Sequence, residues 1–407
     1  MAVRHGYGKS AGADALVFAY DTGDTRNSYR GRPTTNFYSD GHFPNGTDMV
    51  SEGGSNPTNE IVEIRNPGLS KYALKQTMGS AYTEYQINLS TELQASTTYC
   101  LSGWYAESLD YVGASRMFHC RAYSATSAHT ALDTGLYNVV RTQVIDGITW
   151  KYCYATITTP ADYSNTFHWY VGYSSGTYTG ARYYTNLMME QGTYPSQYVA
   201  GTRSATQGLL DLTGNSAIDL SNVSFDSNVQ IDFDGTNDYI NLGDNSLFDL
   251  TDGVGTVEAV IKFPSSWTAG SQYPNIISKG ASAGWDTDGW ALFGFRDWGG
   301  AKSWGFGMRN GATARITSRT NCAADVYLHV VATIDGTNIK LYENGTLFTT
   351  NSQTINPADN NTNVYIGRDP SSQYFPGDIP VAKIYNRALT AAEVKNNYNN
   401  YKGRFNI

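Results

Sequence analysis

Stretches that alternate aromatic or β-branched residues with small or polar ones, cut by turns rich in Gly, Asn and Asp, recur along most of this chain. A side-chain period of two is the signature of strands with one buried face. Residues 81–89 set Tyr82, Glu84, Gln86 and Asn88 against Ala81, Thr83, Tyr85, Ile87 and Leu89. The same texture recurs at 98–107 (TYCLSGWYAE), 116–124 (RMFHCRAYS), 149–157, 165–173 and 182–190. Turns between these runs predict a β-sandwich over 60–192. Strands are predicted again at 230–233, 239–242, 256–263, 275–278, 290–295, 304–308, 327–334, 339–343, 364–366 and 382–385.

Composition agrees with strands rather than helical bundles. The chain has 407 residues, 13% of them aromatic, with 41 Gly and only 16% charged. That length suggests two or three domains, each able to bury a core. A net charge of −8 argues against a general nucleic-acid binder and against docking on anionic lipid through basic residues. No apolar run approaches the length of a membrane-spanning helix. The opening residues show no apolar segment of a secretory signal, so the expected site of synthesis is the cytoplasm. Cys100, Cys120, Cys153 and Cys322 are too scattered for a disulfide framework, and three fall on apolar strand-like runs where a buried thiol is the default.

Residues 1–12 are small and polar and read as an arm. An apolar strand follows at 15–20, and 36–57 has the Gly, Asn, Pro and Ser content of a linker. One helix is predicted, over 391–401. Thr390 and Glu393 form a capping box at its start, and Leu389, Val394 and Tyr398 make the stripe expected to dock it.

Catalytic patterns are sparse. Gly280-Ala281-Ser282-Ala283-Gly284 fits Gly-x-Ser-x-Gly, but no helix pattern follows, so a turn is expected. No His-Glu-x-x-His or Cys-x-x-Cys signals zinc, and no single strand carries the carboxylate pair of a glycoside hydrolase. Asp232, Asp234, Asp238 and Asp244 crowd one stretch. As oxygen donors they suit calcium, with Asp234, Asp238 and Asp244 the expected ligands; the competing reading is turn-capping carboxylates. Trp285, Trp290, Trp298 and Trp304 lie close together among Gly and Asp. Trp290 and Trp304 alternate with apolar residues and are expected in the core, as are Trp104, Trp150 and Trp169. Trp285 and Trp298 fall in Gly-rich loops. A groove is expected there, with Trp285 and Trp298 stacking on sugar rings and Asp286, Asp288, Arg296 and Asp297 pairing with hydroxyls. Tyr173, Tyr178 and Tyr183 are further rim candidates.

Several blocks resemble a known family. FDGTNDYINLGD (233–244), TVEAVIKF (256–263), IISKG (276–280), LHVVATIDGTNIKLYENGTL (328–347), YIGR (365–368) and GDIPVAKIYNRALTAAEV (377–394) resemble, in order, the laminin G-like, concanavalin A-like jelly roll. Asp335-Gly336-Thr337-Asn338 and Glu343-Asn344-Gly345-Thr346 supply the tight turns such a roll needs. ALVFAYDTGDTRNSYRG resembles the opening strand of such rolls in structural proteins of tailed bacteriophages, where DLTGNSAIDLSNVSF (211–225) would normally follow directly. The long interval implies an insertion: 13–35 with 205–407 as one discontinuous jelly roll, and 36–204 as a guest. The competing reading assigns the first strand to the guest. The guest resembles the carbohydrate-binding-module branch of galactose-binding-like sandwiches, on TYCLSGWYAE, ITWKYCYATI and ARYYTNLMMEQGTYPSQYVAGTRS (181–204).

The resemblances imply an all-β chain of two β-sandwich (jelly-roll) domains with one short C-terminal helix. They further imply a non-enzymatic virion protein of a tailed bacteriophage, assembled in the host cytoplasm. Its role would be a tail-fibre, tail-tip or capsid-decorating adhesin that holds host surface polysaccharide and contacts other virion proteins. Homo-oligomerisation and a structural calcium ion are part of this expectation; nucleic-acid binding and membrane insertion are not. The alternative is a purely structural appendage or decoration subunit, and a polysaccharide depolymerase comes third.

Overall fold

Alternation becomes strand throughout the computed structural model, which describes residues 14–38, 41, 58–65, 67, 70–77, 83–89, 93–113, 118–126, 128–132, 138–174, 179–225, 231–268, 273–280, 288–296, 301–311 and 313–407. The expected arm at 1–12 and most of the expected linker lie outside the described residues. The chain divides into two units, one holding residues up to 33 together with 204–407 and the other 34–203.

The first strand, β1 (Leu16–Asp21), belongs to the first unit. The second unit contains β2 (Thr34–Thr35), β3 (Thr58–Glu63), β4 (Tyr72–Thr77), β5 (Thr83–Asn88), β6 (Thr98–Glu107), β7 (Phe118–Ser124), β8 (His129–Leu132), β9 (Asn138–Ile145), β10 (Ile148–Thr158), β11 (Tyr163–Ser174), β12 (Ala181–Gln191) and β13 (Thr202–Arg203). Its sheets run β3-β4-β12-β6-β10-β9 and β5-β11-β7-β8, with β2 and β13 paired separately. Leu101, Tyr105 and Cys153 from the larger sheet meet Phe118, Phe167 and Trp169 from the smaller one in a shared core. All four cysteines are free thiols, and burial pushes the Cys153 thiol up to about 12.

The first unit continues with β14 (Ser224–Phe225), β15 (Ile231–Asp234), β16 (Ile240–Asn241), β17 (Val254–Lys262), β18 (Asn275–Lys279), β19 (Gly289–Arg296), β20 (Lys302–Asn310), β21 (Thr313–Cys322), β22 (Tyr327–Asp335), β23 (Asn338–Glu343), β24 (Thr346–Ser352), β25 (Val364–Ile366) and β26 (Pro376–Tyr385). One sheet runs β14-β15-β26-β17-β22-β23-β24, and the other β16-β25-β18-β19-β20-β21. Their facing side chains form one core: Val257, Ala259 and Ile261 from the first sheet meet Trp290, Leu292 and Phe306 from the second. β1 pairs antiparallel with Val381–Tyr385 of β26, on the flank that the short β15 leaves free. The loop after Asp211 covers the outer edge of β1. Asp211 Oδ1 accepts the Ala19 N–H at 3.0 Å, while Thr213 and Asn215 side chains donate to the Val17 carbonyl. An edge strand covered this way cannot template further pairing.

The hairpin β23–β24 turns through Asn344 and Gly345, both with positive φ (50° and 68°), which favours Gly and Asn. A Cβ on Gly345 would also lie 2.8 Å from the Cβ of Tyr398. Gly345→Ala should therefore destabilise the first unit by about 1–2 kcal/mol in a urea melt, combining backbone strain with displacement of the helix above it. An unchanged melt would mean that the helix does not press on this turn.

That helix, α1 (Ala391–Phe405), opens with the expected capping box. Thr390 Oγ1 accepts the Glu393 N–H and Glu393 Oε2 accepts the Thr390 N–H. Its docking face differs from the expected stripe. Leu389 and Val394 are buried, but Tyr398 is half-buried, and the other inward positions are Asn397 and Tyr401. The sheet beneath presents a buried carboxylate, Glu258, which requires a polar partner rather than an apolar one.

Candidate ligand-binding surfaces

The two described members of the expected groove are not brought together. Asp288 immediately precedes β19 and Arg296 ends it. At about 3.3 Å per strand residue, roughly 26 Å separates them. Trp285, Asp286, Asp297 and Trp298 lie outside the described residues. Asp288 braces strand ends: its Oδ1 accepts the Gly311 N–H at 2.7 Å and its carbonyl accepts Asn360 Nδ2 at 2.6 Å. Trp290 and Trp304 are fully buried in the core. Of the Gly-x-Ser-x-Gly text only Gly280 is among the described residues; it follows β18, and the next described strand, β19, is the antiparallel partner of β18.

The three expected calcium ligands also serve separate tasks. Asp234 Oδ1 caps its own turn by accepting the N–H groups of Thr236 and Asn237. Asp238 Oδ2 accepts the Asp234 N–H, and burial pushes the Asp238 carboxyl above its ordinary value. Asp244 pairs with Lys279 Nζ at 2.6 Å. That ammonium also has Asp249 Oδ1 at 3.0 Å and the carbonyls of Thr362 and Asn360 at 2.9 and 3.2 Å. Two carboxylates and two carbonyls around one point make a set that would suit a hard cation. Here the lysine head supplies the positive charge. Among the described residues, no three His, Cys, Asp or Glu side chains converge as a metal-ligand group.

The structure instead gathers three tyrosines around an arginine. Tyr239 precedes β16, Tyr365 lies in β25, and Arg368 and Tyr374 sit on the loop between β25 and β26. The Arg368 guanidinium carbon is 4.3 Å from the Tyr239 ring centre, 4.5 Å from Tyr365 and 5.8 Å from Tyr374. Tyr239 meets Tyr365 edge-on at 5.9 Å and lies 6.4 Å from Tyr374. All four side chains are half-buried, so each keeps a solvent-facing part.

Local chemistry holds this loop. Gly367 takes φ 84°, and a Cβ there would meet the Phe233 ring at 2.5 Å. Phe375 is fully buried and its N–H returns to the Gly367 carbonyl at 2.8 Å, while Ser278 Oγ donates to the Arg368 carbonyl at 2.8 Å. The loop is therefore pinned at both ends, and the guanidinium is held among the rings by cation–π attraction. Aromatic faces and guanidinium donors at one open patch can stack on an apolar ring face and hydrogen-bond its polar rim. Tyr239, Tyr365 and Arg368 stand inside text that resembles the jelly-roll family, but nothing in their spacing marks them as neighbours. Abundance of tyrosine, 31 in the chain, was the available signal.

In the second unit Trp169 is core, as expected. Trp104 and Trp150 are also buried, but on the opposite face of their sheet, in a second cluster with Ala73, Ala106 and Tyr152. The rim candidate Tyr183 is half-buried and lines a cleft of about 470 Å³ with Lys75, Asp110 and Thr179. Tyr178 and the Tyr173 side chain lie outside what is described.

Residues 234–395 match a laminin G-type family model described as the concanavalin A-like lectin/glucanases superfamily. Among solved structures, similar folds include the binding domain of Paraclostridial Mosquitocidal Protein 1, at 17% identity and TM-score 0.36, covering 47% of this chain and 49% of that one. Another is the botulinum neurotoxin serotype D binding domain, at 18% identity and TM-score 0.34, covering 46% and 48%. A third is domain 4 of AbnA, a GH43 extracellular arabinanase from Geobacillus stearothermophilus, in complex with arabinotriose. It has 15% identity and TM-score 0.35, covering 48% and 93%. The chain thus spans about half the length of the first two. No curated protein sequence matches.

Proposed function

We propose that this chain is a non-catalytic glycan-binding protein of a tailed-bacteriophage particle, an adhesin at a tail fibre, tail tip or capsid surface that holds host polysaccharide. The observation that carries the binding reading is the open tyrosine–arginine cluster on a jelly roll matched to a lectin and glucanase superfamily. The phage assignment is supported by the resemblance of the first strand to the opening strand of jelly rolls in phage structural proteins. The non-catalytic reading is supported by the structural use of four carboxylates of the jelly roll: Asp244 and Asp249 pair with Lys279, Asp288 bonds Gly311, and Glu258 is buried under α1.

Glycan arrays followed by calorimetry on the strongest hit test this. Arg368→Ala and Tyr365→Ala should each weaken binding about tenfold, the loss of one cation–π or stacking contact and its hydrogen bonds. Both sites are half-exposed, so melting should shift by no more than about 2 °C. Binding that ignores both substitutions would remove the cluster from the site. Incorporation into particles without glycan binding would favour the purely structural appendage. Release of reducing sugar from host polysaccharide would favour the depolymerase.

A further inference from the structure

Three of the chain's six histidines stand on one face of one sheet. In β5-β11-β7-β8 the side chains of Phe118, Cys120 and Ala122 point to the core, so His119, Arg121 and Tyr123 point away from it. The register sets Tyr170 beside His119, His168 between Asn88 and Arg121, and Tyr123 beside His129. The side chains touch. His168 Nδ1 is 3.0 Å from Tyr170 Oη, and the His168 and His129 rings each lie 5.3 Å from Tyr123. His119 packs on Tyr170 at 5.1 Å, and the Arg121 guanidinium lies 5.6 Å from the Tyr170 ring centre. His119 is buried; His168, Arg121 and Tyr123 are half-buried; His129 is exposed.

We propose that this His–Tyr–Arg face binds an acidic polysaccharide, and binds it more tightly as the medium turns mildly acidic. The class of polymer rests on the glycan-binding reading above, but the site lies on the other unit of the chain. Charge selects the ligand. The described side chains in these contacting rows include one permanent cation and three imidazoles, and no carboxylate, on a chain whose net charge is −8. The groups facing His168 are Arg121, His119 and Tyr123 from β7, His129 from β8, Asn88 from β5 and Tyr170 from its own strand. Asp162, in the turn before β11, lies beyond the last row; its carbonyl accepts the Ala125 N–H. Imidazole ordinarily gains its proton between about pH 7.5 and 5.5. The face, which carries one guanidinium throughout, then gains positive charge at imidazoles that solvent reaches, while a polymer of uronic acids stays ionised. The tyrosine rings offer flat surfaces for the sugar rings between the charges.

The test uses the full chain and titrates polygalacturonate, with neutral dextran as comparison, at pH 7.5 and 5.5 and constant ionic strength. Polygalacturonate should bind about tenfold more tightly at pH 5.5, the scale of two added surface ion pairs, and dextran should show no such gain. His129→Gln with His168→Gln should abolish the gain. His129→Gln alone, at an exposed site that folding does not need, should remove about half of it on a logarithmic scale. Arg121→Gln should weaken binding at both pH values. Arg368→Ala should leave the ratio of the affinities at the two pH values unchanged, which separates the pH-dependent face from the tyrosine cluster. Equal affinity at the two pH values, a gain that survives in the folded double variant, or no binding at pH 5.5 by the intact chain would each overturn the proposal.

Discussion

Replacing Glu258 by Ala is expected to destabilise the first unit by about 3–5 kcal/mol, the usual cost of breaking a buried ion pair from one side. Glu258 is fully buried on β17 beneath α1. Its Oε1 lies 3.0 Å from His329 Nε2 and 3.5 Å from Lys383 Nζ, and its Oε2 accepts from Asn397 Nδ2 at 2.8 Å and Tyr385 Oη at 3.2 Å. The Tyr401 ring closes over the cluster, 5.0 Å from Lys383 Nζ. Alanine would strand Lys383 as a buried cation and remove the carboxylate to which Asn397 and Tyr385 donate. Glu258→Gln keeps an acceptor and should cost less. Urea denaturation ranks the three proteins, and a Glu258→Ala loss below about 1 kcal/mol would show that water reaches the site.

The same cluster predicts an acid transition. Burial alone would raise the Glu258 carboxyl, but the charge of Lys383 and the hydrogen bond and charge of His329 outweigh it and hold it at about 2, against an ordinary 4.5. Arg387 hydrogen bonds hold the capping Glu393 at about 2 as well. A depressed carboxyl stabilises the fold fully above the unfolded value, and that contribution is lost as pH falls from about 4.5 to about 2. For Glu258 it is on the order of 3 kcal/mol. Both groups anchor α1, so acid should release the helix before it melts the sheets. Hydrogen exchange at pH 3 would show amides of 391–405 exposed first; simultaneous exposure of β17 and β22 would contradict this.

Trp290→Ala should cost about 3–5 kcal/mol, as large-to-small changes in packed cores do. The ring is fully buried and stacks on Phe306 at 6.3 Å, and its Nε1 donates to the Phe248 carbonyl at 2.7 Å. Alanine would leave a cavity between the two sheets and an unpaired carbonyl. Trp290→Phe separates the parts: it restores most of the volume, and the lost hydrogen bond alone should cost about 1–2 kcal/mol. Denaturant midpoints measured on both variants check this, and equal losses would mean that the hydrogen bond, not the volume, matters at this site.

Two of the strands left unpredicted share a physical cause. β9, NVVRTQVI, is an edge strand exposed along nearly its whole length, and β24, TLFTTNS, is exposed at all but one position. Where neither face is buried, nothing requires alternation, so the period of two is absent. Sequence proximity also misleads where a strand intervenes. Asp288 and Arg296 are close in sequence, but an extended strand between them carries them to opposite ends of the sheet. Asp244 stands among other aspartates in the sequence, a setting that suggests a metal ligand. Its partner is Lys279, which no local pattern connects to it.

Local chemistry was therefore readable from the chain alone. Strand texture, the Asp335-Gly336 and Asn344-Gly345 turns, the Thr390–Glu393 cap and the burial of Trp290 and Trp304 each depend on residues a few positions apart. What the tertiary structure decided is which distant residues meet. β25 lies between β16 and β18 although a long stretch of chain separates it from both, and this order brings Tyr365 and Arg368 to Tyr239. Glu258, His329, Lys383 and Asn397 come together in the same way from three strands and a helix. Strand order follows from packing two sheets around one core, and the energy of that packing is shared over the whole unit rather than written at any one position.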